Sequence, residues 1–197
     1  MQELLKRYPS LASCEGDIKN ALELIIDTYK NGGKILVCGN GGSCADCEHI
    51  VGELMKGFMM RREVCDERIP EHLRKNLQGG LPAISLPSQI AVLSAFINDV
   101  EPSMMYAQLV YGYATENDLF IGLSTSGNSA NVVNAAEVAK AVGIKTLALT
   151  GERESKLSDL CDVTIRVPES ETYKIQELHL PVYHYLCAET EKNFFEM

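Results

Sequence analysis

Apolar residues occur along the chain in short unbroken runs that alternate with longer stretches of helical periodicity. Short apolar runs are typical of buried strands, whereas apolar residues at every third or fourth position are typical of helices with one covered face. This pattern predicts strands at 34–38, 82–86, 118–123, 145–149 and 163–167. It predicts helices within 1–32 and at about 43–59, 87–97, 102–114, 130–141 and 173–196.

The regular alternation of strands and helices determines the fold class that we expect. Strands that are apolar throughout are buried on both faces, as in a mostly parallel sheet with helices above and below it. We therefore predict an α/β three-layer sandwich, a single domain over residues 1–197 with an extra helical segment at 1–32. The densely charged stretch at 60–80 has no clear period and is predicted to be an exposed insertion with a short helix. In such a fold the carboxyl ends of the strands meet at one edge, where ligands bind.

Composition and charge narrow the classes of partner. The formal net charge of −9 argues against nucleic acid or an anionic membrane as the main partner. No apolar run approaches the roughly 20 residues of a membrane span, and the N-terminus lacks the apolar core of a signal peptide. Seven scattered cysteines, an odd number, favour reduced thiols over a disulfide framework. We therefore expect a cytoplasmic protein.

The segment from Gly39 to Ser43, with the sequence GNGGS, lies between a predicted strand and a predicted helix. Glycines let the backbone approach a ligand, and the first N–H groups of a helix have no partner within it, so this junction predicts an anion site. His49 and Glu53 follow in the same helix, four residues apart and therefore on one face. An imidazole and a carboxylate beside a phosphate site indicate chemistry on a phosphorylated small molecule.

A second polar junction, STSGNS at 124–129, follows the strand predicted at 118–123. Its hydroxyls and free backbone N–H groups can form a neutral nest for phosphate. The alternative is an ordinary Ser or Asn helix cap, and one hydroxyl-rich loop is weak support by itself. Two such loops at one edge of a sheet are stronger support. Neither loop has the spacing of a Walker motif or of the dinucleotide fingerprint.

Four motifs together resemble the sugar isomerase (SIS) domain family, over about residues 16–195 with the exception of 60–80. They are GNGGS at 39–43, the His49/Glu53 pair, STSGNS at 124–129, and IQE-x-H with a later histidine at 175–184. Within the family these motifs look most similar to those of the bacterial phosphoheptose isomerases. The resemblance implies the SIS fold, a phosphorylated sugar as ligand, and a homo-oligomer that is usually a tetramer.

The resemblance also implies a zinc-dependent aldose–ketose isomerase that converts sedoheptulose 7-phosphate to another heptose 7-phosphate through an enediol. One zinc ion per subunit would be bound by His49, Glu53, Gln176 and His184, a ligand set that suits this metal. Glu53 would be the general base and His184 the acid. By the same resemblance, the residues that bind phosphate and sugar are Asn40, Gly41, Gly42, Ser43, Asp99, Ser124, Thr125, Ser126, Asn128, Ser129 and Gln176.

Two alternatives to this function stay open. Some relatives with the same fold are not catalytic and bind a phosphosugar or a partner protein as regulatory tetramers; those lack the carboxylate and second histidine that Glu53 and His184 supply here. The substrate can also be a different sugar phosphate, because two segments depart from the heptose enzymes. Tyr173 stands where those enzymes have an acidic residue, and the loop at 99–106 lacks their usual glycine and phenylalanine.

Three features of the candidate site pose questions that only a structure answers. Gln176 lies eight residues before the last predicted ligand, about 12 Å along a straight helix, so sharing one ion needs a metal between them or a bend, for instance at Pro181. His179 competes as a ligand, although a helix-face histidine bonded to a neighbour is the simpler interpretation. Cys44 and Cys47 form a C-x-x-C at a helix start, where packing is favoured over a redox or zinc site because no second pair exists.

Overall fold

The computed structural model describes residues 1–195, and within them five strands form one parallel sheet. The strands are β1 (Ile35–Gly39), β2 (Ala83–Ser85), β3 (Leu119–Leu123), β4 (Lys145–Thr150) and β5 (Val163–Arg166). Their order across the sheet is β2-β1-β3-β4-β5. The chain leaves β1 for β2 on one side and returns to β3 on the other, so the switch point of the sheet lies between the carboxyl ends of β1 and β3. The predicted α/β class with a parallel sheet is confirmed.

Nine α-helices accompany the sheet within the described residues. They are α1 (Gln2–Arg7), α2 (Glu15–Lys30), α3 (Gly42–Met55), α4 (Glu71–Arg74), α5 (Ile90–Asp99), α6 (Met105–Tyr113), α7 (Ala130–Ala141), α8 (Lys156–Leu160) and α9 (Thr172–Phe195). Alternate residues of β1 face opposite layers: Ile35 and Val37 pack with α2, α3 and α9, while Leu36 and Cys38 pack with α6 and α7. This alternation is what a strand between two helical layers requires.

Local chemistry explains why two predicted helices are shorter than expected. The segment predicted at 1–32 consists of α1, a 3₁₀ turn at Pro9–Cys14 and α2, because proline can begin a helical turn but interrupts one that runs through it. The helix predicted at 43–59 is α3, which ends at Met55 because Lys56 is extended. These breaks leave the two helical layers intact and shift only their boundaries.

The C-terminal helix α9 is continuous through Pro181. It was predicted at 173–196, and position 196 lies outside the described residues. The helix predicted at 102–114 begins with a 3₁₀ turn at Pro102–Met104 and continues as α6.

Across residues 1–195, no helix has both the length and the apolar content that crossing a membrane requires.

The insertion predicted at 60–80 is mostly exposed and contains the short helix α4, as expected. Arg62 is an exception, because its side chain is fully buried with Nε 2.7 Å from Oε1 of Glu191 in α9. Its guanidinium also donates to the main-chain carbonyls of Leu54 at 2.5 Å and Glu53 at 2.8 Å. A helix leaves its last carbonyls without partners. Arg62 supplies those partners at the end of α3 and joins the insertion to α9.

Candidate active site

The GNGGS segment connects β1 directly to α3, as predicted. Gly41 has a φ of +56°, a conformation that residues with a side chain rarely adopt, and α3 begins at Gly42. Gly39 has no room for a Cβ, which would lie 2.8 Å from the Cβ of Ser43. Ser43 is buried in this turn, whereas Asn40 and the two glycines that follow it are exposed. The accessible part of the junction is therefore its backbone and the Asn40 amide.

The STSGNS loop follows β3 and lies beside the first loop. Reciprocal hydrogen bonds of 2.9 Å join the side-chain amides of Asn40 and Asn131, a residue in the first turn of α7. Gly127 has a φ of +64°, and a Cβ there would lie 2.0 Å from the Oγ of Ser155, so the loop packs tightly on the start of α8. The two predicted phosphate loops are therefore neighbours at the switch point of the sheet.

A cleft of about 210 Å³ opens beside the second loop. Thr125, Ser126 and Asn128 line it, so three of the predicted phosphate-binding residues face one space. The side chains of Ser124 and Ser129 form a hydrogen bond with each other, with their hydroxyl oxygens 3.0 Å apart. The rest of the lining comes from the ends of β4 and β5 and the start of α9, and comprises Gly151, Glu152, Arg153, Glu154, Glu169, Ser170, Thr172 and Ile175.

Arg153 is a residue of this cleft that the motifs did not predict. A single arginine after a strand carries no sequence signal of its own. It shares the cleft with Glu152, Glu154 and Glu169, so negative side chains outnumber it. An anion bound here would consequently depend on hydroxyls and backbone N–H groups, in agreement with the neutral nest expected from the sequence.

The predicted catalytic residues meet where α3 packs along α9. The Nε2 of His49 lies 3.2 Å from Oε1 of Glu53 and 3.3 Å from Nε2 of His184. Oε2 of Glu53 is buried without a hydrogen bond, and the Lys56 ammonium lies 3.7 Å from it. Burial lowers the pKa of His184, and His49 lowers it further while Glu53 opposes the change. The lowered pKa favours the neutral form of His184, and a Glu53 oxygen that has no hydrogen bond belongs to the same cluster.

Tyr183 belongs to this cluster, although the sequence analysis did not single it out. Its side chain is buried, and its hydroxyl lies 3.1 Å from Oδ1 of Asp46 and 3.0 Å from Nδ1 of His49. A tyrosine on the apolar face of a helix is ordinarily interpreted as core. The one available signal was its position next to His184 in the chain.

Gln176 is placed apart from the His–Glu–His cluster. Its side chain lies against the start of α3, where a Cβ on Gly42 would be 2.5 Å from Nε2 of Gln176. His49 is seven residues further along α3, about 10 Å away along the axis. Because α9 continues through Pro181, the distance between Gln176 and His184 along the helix is not shortened. The structure thus brings together three of the four predicted metal ligands and leaves the fourth at the phosphate loop.

Asp99 is also separate from the other predicted residues. It ends α5 and is exposed, and its carboxylate accepts a 2.7 Å hydrogen bond from the amide of Asn98. Among the described residues, no hydrogen bond joins Asp99 to either phosphate loop or to His49. Its position near the sugar hydroxyls stays a prediction.

The burial of His179 and Cys47 argues against the two alternatives, in which His179 binds the metal or Cys44 and Cys47 form a redox pair. His179 is completely buried, with Nε2 3.2 Å from the carbonyl of Thr150, and burial lowers its pKa to about 4 despite that hydrogen bond. Cys47 is buried, its Sγ donates to the carbonyl of Ser43 at 3.0 Å, and burial raises its thiol pKa. Burial also raises the pKa of Cys44, with a smaller contribution from Glu48. A redox pair needs a thiol of lowered pKa, so Cys44 and Cys47 act as packing residues.

Sequence comparison with known proteins gives evidence that is independent of this geometry. The sequence profile of the SIS domain matches residues 2–151. The phosphoheptose isomerase of Helicobacter pylori (strain P12) is 38% identical over 193 residues, which cover 98% of this chain and 91% of that protein. The phosphoheptose isomerase of Aliarcobacter butzleri is 39% identical over 170 residues, covering 86% and 82%.

Solved structures that resemble this chain include a phosphoheptose isomerase. Phosphoheptose isomerase GmhA from Neisseria gonorrhoeae superposes with a TM-score of 0.79 at 29% identity, covering 97% of this chain and 94% of that one. The Vibrio vulnificus NanR protein complexed with ManNAc-6P has a TM-score of 0.60 at 16% identity, a likeness of fold alone.

Proposed function

The chain belongs to the SIS domain family, and we propose that it interconverts sedoheptulose 7-phosphate and an aldose heptose 7-phosphate. Its relatives named phosphoheptose isomerase align over most of both chains, and on that basis it is an aldose–ketose isomerase of phosphosugars. The observation that carries the proposal is the meeting of Glu53 and His184 around His49 on α3, the helix that begins at the first predicted phosphate loop.

Different side chains of this chain would bind the phosphate and transfer the protons during isomerisation. The hydroxyls of Thr125 and Ser126 would hold the phosphate group in the cleft. Glu53, one oxygen of which has no hydrogen bond, would remove the proton from the carbon beside the carbonyl and return it to the neighbouring carbon. The electron pair left by that proton forms the double bond of an enediol. Neutral His184 would move a proton between the two sugar oxygens, so that no net proton is gained or lost.

Zinc is part of the proposal, and the donor atoms fit it in part. With zinc–ligand distances of about 2.0–2.1 Å, two ligands on a tetrahedral ion lie roughly 3.3 Å apart. The 3.2 Å and 3.3 Å separations of Glu53 and His184 from His49 match that value. In the part of the chain that the structure describes, no three His, Cys, Asp or Glu side chains are arranged so that they could hold a metal ion without moving. His49, Glu53 and His184 would hold the ion, which would supply polarisation of the substrate oxygens; Gln176 lies elsewhere.

We further propose a homo-oligomer, with a tetramer as the expected form. Helix α5 is strongly apolar, yet it buries no residue within the chain. Ile90 is 74% exposed, and Val100 at the end of the helix is 64% exposed. An apolar helix normally has a covered face. A second copy of this chain would cover it, and light scattering on the purified protein measures the resulting mass.

The enzyme proposal is tested by NMR detection of aldose–ketose exchange with a panel of heptose, hexose and pentose phosphates. We expect turnover of the heptose and a loss of at least about 10²-fold in kcat for Glu53→Gln. Glu137→Gln, at an exposed position of α7, is the control and should keep full activity. Turnover of only a pentose or hexose would refute the substrate. Phosphosugar binding without any turnover would refute the enzyme and favour a regulatory binding protein.

The cytoplasmic location also belongs to the proposal. The seven cysteines are free thiols spread over strands, helices and loops. This distribution supports a reducing compartment. Fractionation of cells that express the full chain measures the location directly, and recovery outside the cytoplasmic fraction would contradict it.

A further inference from the structure

We propose that Asp46 and Tyr183 hold His49 in the neutral tautomer with its proton on Nδ1, which leaves a lone pair on Nε2, the ring nitrogen next to Glu53 and His184. Both residues would then be positioning residues, which act on the reaction through His49. The inference rests on the proposed function, because the orientation of His49 matters to catalysis only if the cluster around it is the active site. Its test below is nevertheless independent of turnover.

The contacts of the Tyr183 hydroxyl are the first step. It lies 3.1 Å from Oδ1 of Asp46 and 3.0 Å from Nδ1 of His49. The rings of Tyr183 and His49 meet edge to face, with centroids 5.4 Å apart. Tyr183 is only 2% exposed, so its hydroxyl cannot turn towards water. The phenol therefore has these two partners for its hydrogen bonds.

Counting protons then fixes the direction of each hydrogen bond. A carboxylate only accepts, and a phenol has a single proton to give. If Tyr183 donates to Asp46, its oxygen must accept from His49, and the proton of the neutral imidazole is on Nδ1. The opposite direction would leave Asp46 without a donor, and its Oδ2 is already buried with no hydrogen bond. Leaving this half-buried carboxylate without any hydrogen-bond donor is the costlier arrangement.

The consequence appears at the other ring nitrogen. With the proton on Nδ1, Nε2 of His49 has a lone pair, and it lies 3.3 Å from Nε2 of His184 and 3.2 Å from Oε1 of Glu53. His184 can donate a proton to that lone pair, but Glu53 cannot. Two acceptor atoms this close to each other leave a place for a cation. Histidines that bind metals usually donate their other N–H to a partner that fixes the ring, and Tyr183 would have that role here.

The direct test reads the tautomer of His49 in metal-free protein. Long-range ¹H–¹⁵N correlation spectra of the ¹⁵N-labelled full chain distinguish a protonated Nδ1 from a protonated Nε2. We expect the Nδ1–H form in the wild type and a loss of that preference in Tyr183→Phe. Observation of the Nε2–H form in the wild type overturns the proposal, whether or not the protein isomerises any sugar.

Zinc binding is the second readout. Competition of Zn²⁺ between the protein and a chromogenic chelator should show an affinity about 10–100-fold lower in Tyr183→Phe. The matched control is Tyr29→Phe, which also removes a buried tyrosine hydroxyl, one that donates to the carbonyl of Pro82 at 3.2 Å. The control should leave the zinc affinity and the tautomer unchanged. A Tyr183→Phe variant with the tautomer and affinity of the wild type would show that the tyrosine only packs.

Kinetics separate this role from the proposed function itself. Because Tyr183 is away from the phosphate cleft, Tyr183→Phe should lower kcat with little change in KM. If the wild type shows no turnover, the proposed function fails while the tautomer and zinc results still decide this inference. If turnover is present and Tyr183→Phe keeps the full kcat, the positioning role is wrong.

Discussion

We expect Glu191→Gln to lower the free energy of unfolding by about 3–5 kcal/mol, because removing one member of a buried ion pair leaves the other charge uncompensated. Both side chains of the pair are inaccessible, and Nε of Arg62 lies 2.7 Å from Oε1 of Glu191. The same carboxylate accepts the backbone N–H groups of Phe58 at 2.8 Å and Met59 at 2.7 Å. The substitution thus affects the attachment of the insertion to α9.

The magnitude follows from the donors that surround this group. Glutamine preserves the shape of Glu191 but replaces one acceptor oxygen with an NH₂ group. Three donors point at the carboxylate, so the NH₂ group must face at least one of them. A hydrogen bond to a charged group contributes about 1.5–3 kcal/mol, and the substitution weakens several such bonds together. For a chain of this size, about 2–4 °C per kcal/mol implies that the melting midpoint falls by roughly 6–20 °C.

Urea unfolding followed by far-UV circular dichroism measures this loss, at one fixed protein concentration because the oligomer proposed above would make stability concentration-dependent. Glu189→Gln is the matched control: it breaks a more exposed 2.6 Å pair with Lys192 on the same helix and should cost less than about 1 kcal/mol. A loss for Glu191→Gln no larger than that of the control would refute the reasoning.

The same pair predicts a pH dependence of stability. Burial raises the pKa of Glu191, but the N–H groups of Phe58 and Met59 and the Arg62 guanidinium outweigh it, so the net pKa is lowered. A carboxyl whose pKa is lower in the folded state stabilises the fold above its unfolded pKa, about 4.3, and loses that contribution as pH falls through the folded value. The stability gap between wild type and Glu191→Gln should therefore be constant near neutral pH and narrow below about pH 4. A gap that widens in acid would contradict this sign.

Three further predictions concern other parts of the fold. Gly127→Ala should raise KM for the phosphosugar in steady-state assays, because a Cβ at this positive φ would lie 2.0 Å from Oγ of Ser155 and distort the phosphate loop; an unchanged KM would contradict this. Asp118→Asn should cost about 1.5–3 kcal/mol in urea unfolding, since the buried carboxylate accepts the Lys34 N–H at 2.9 Å; a smaller loss would show that the asparagine oxygen replaces it. Exposed Cys65 should react first with iodoacetamide, as mass spectrometry of peptides would show, and earlier labelling of a buried thiol would be the opposite result.

The elements of this fold could be read from short-range pattern alone. The unbroken apolar run at 118–123 predicted the buried strand β3, and the glycines after β1 predicted the start of α3. His49 and Glu53 could be paired in advance because residues four apart on a helix share a face. Each of these predictions depends on neighbours in the chain, whose geometry the backbone itself dictates.

Contacts between residues that are far apart in the chain were harder to predict. Arg62 lies in a stretch whose charge predicts exposure, and it is buried because Glu191, 129 residues later, compensates it. The sequence places Gln176 and His184 on one helix, but it does not say where that helix crosses α3. Resemblance assigned both to one metal, whereas the helix packing puts Gln176 at Gly42 and His184 at His49.

The sequence alone therefore determined the alternation of strands and helices, the two glycine and hydroxyl loops, and the family. Only the tertiary structure decided that the Tyr183 hydroxyl links Asp46 to His49 and that the fourth predicted ligand lies at the start of α3. The physical reason is the range of the interactions. Helical and strand periodicity arise from hydrogen bonds and burial within a few residues, whereas the contacts of a side chain more than a hundred residues away depend on how two whole helices pack.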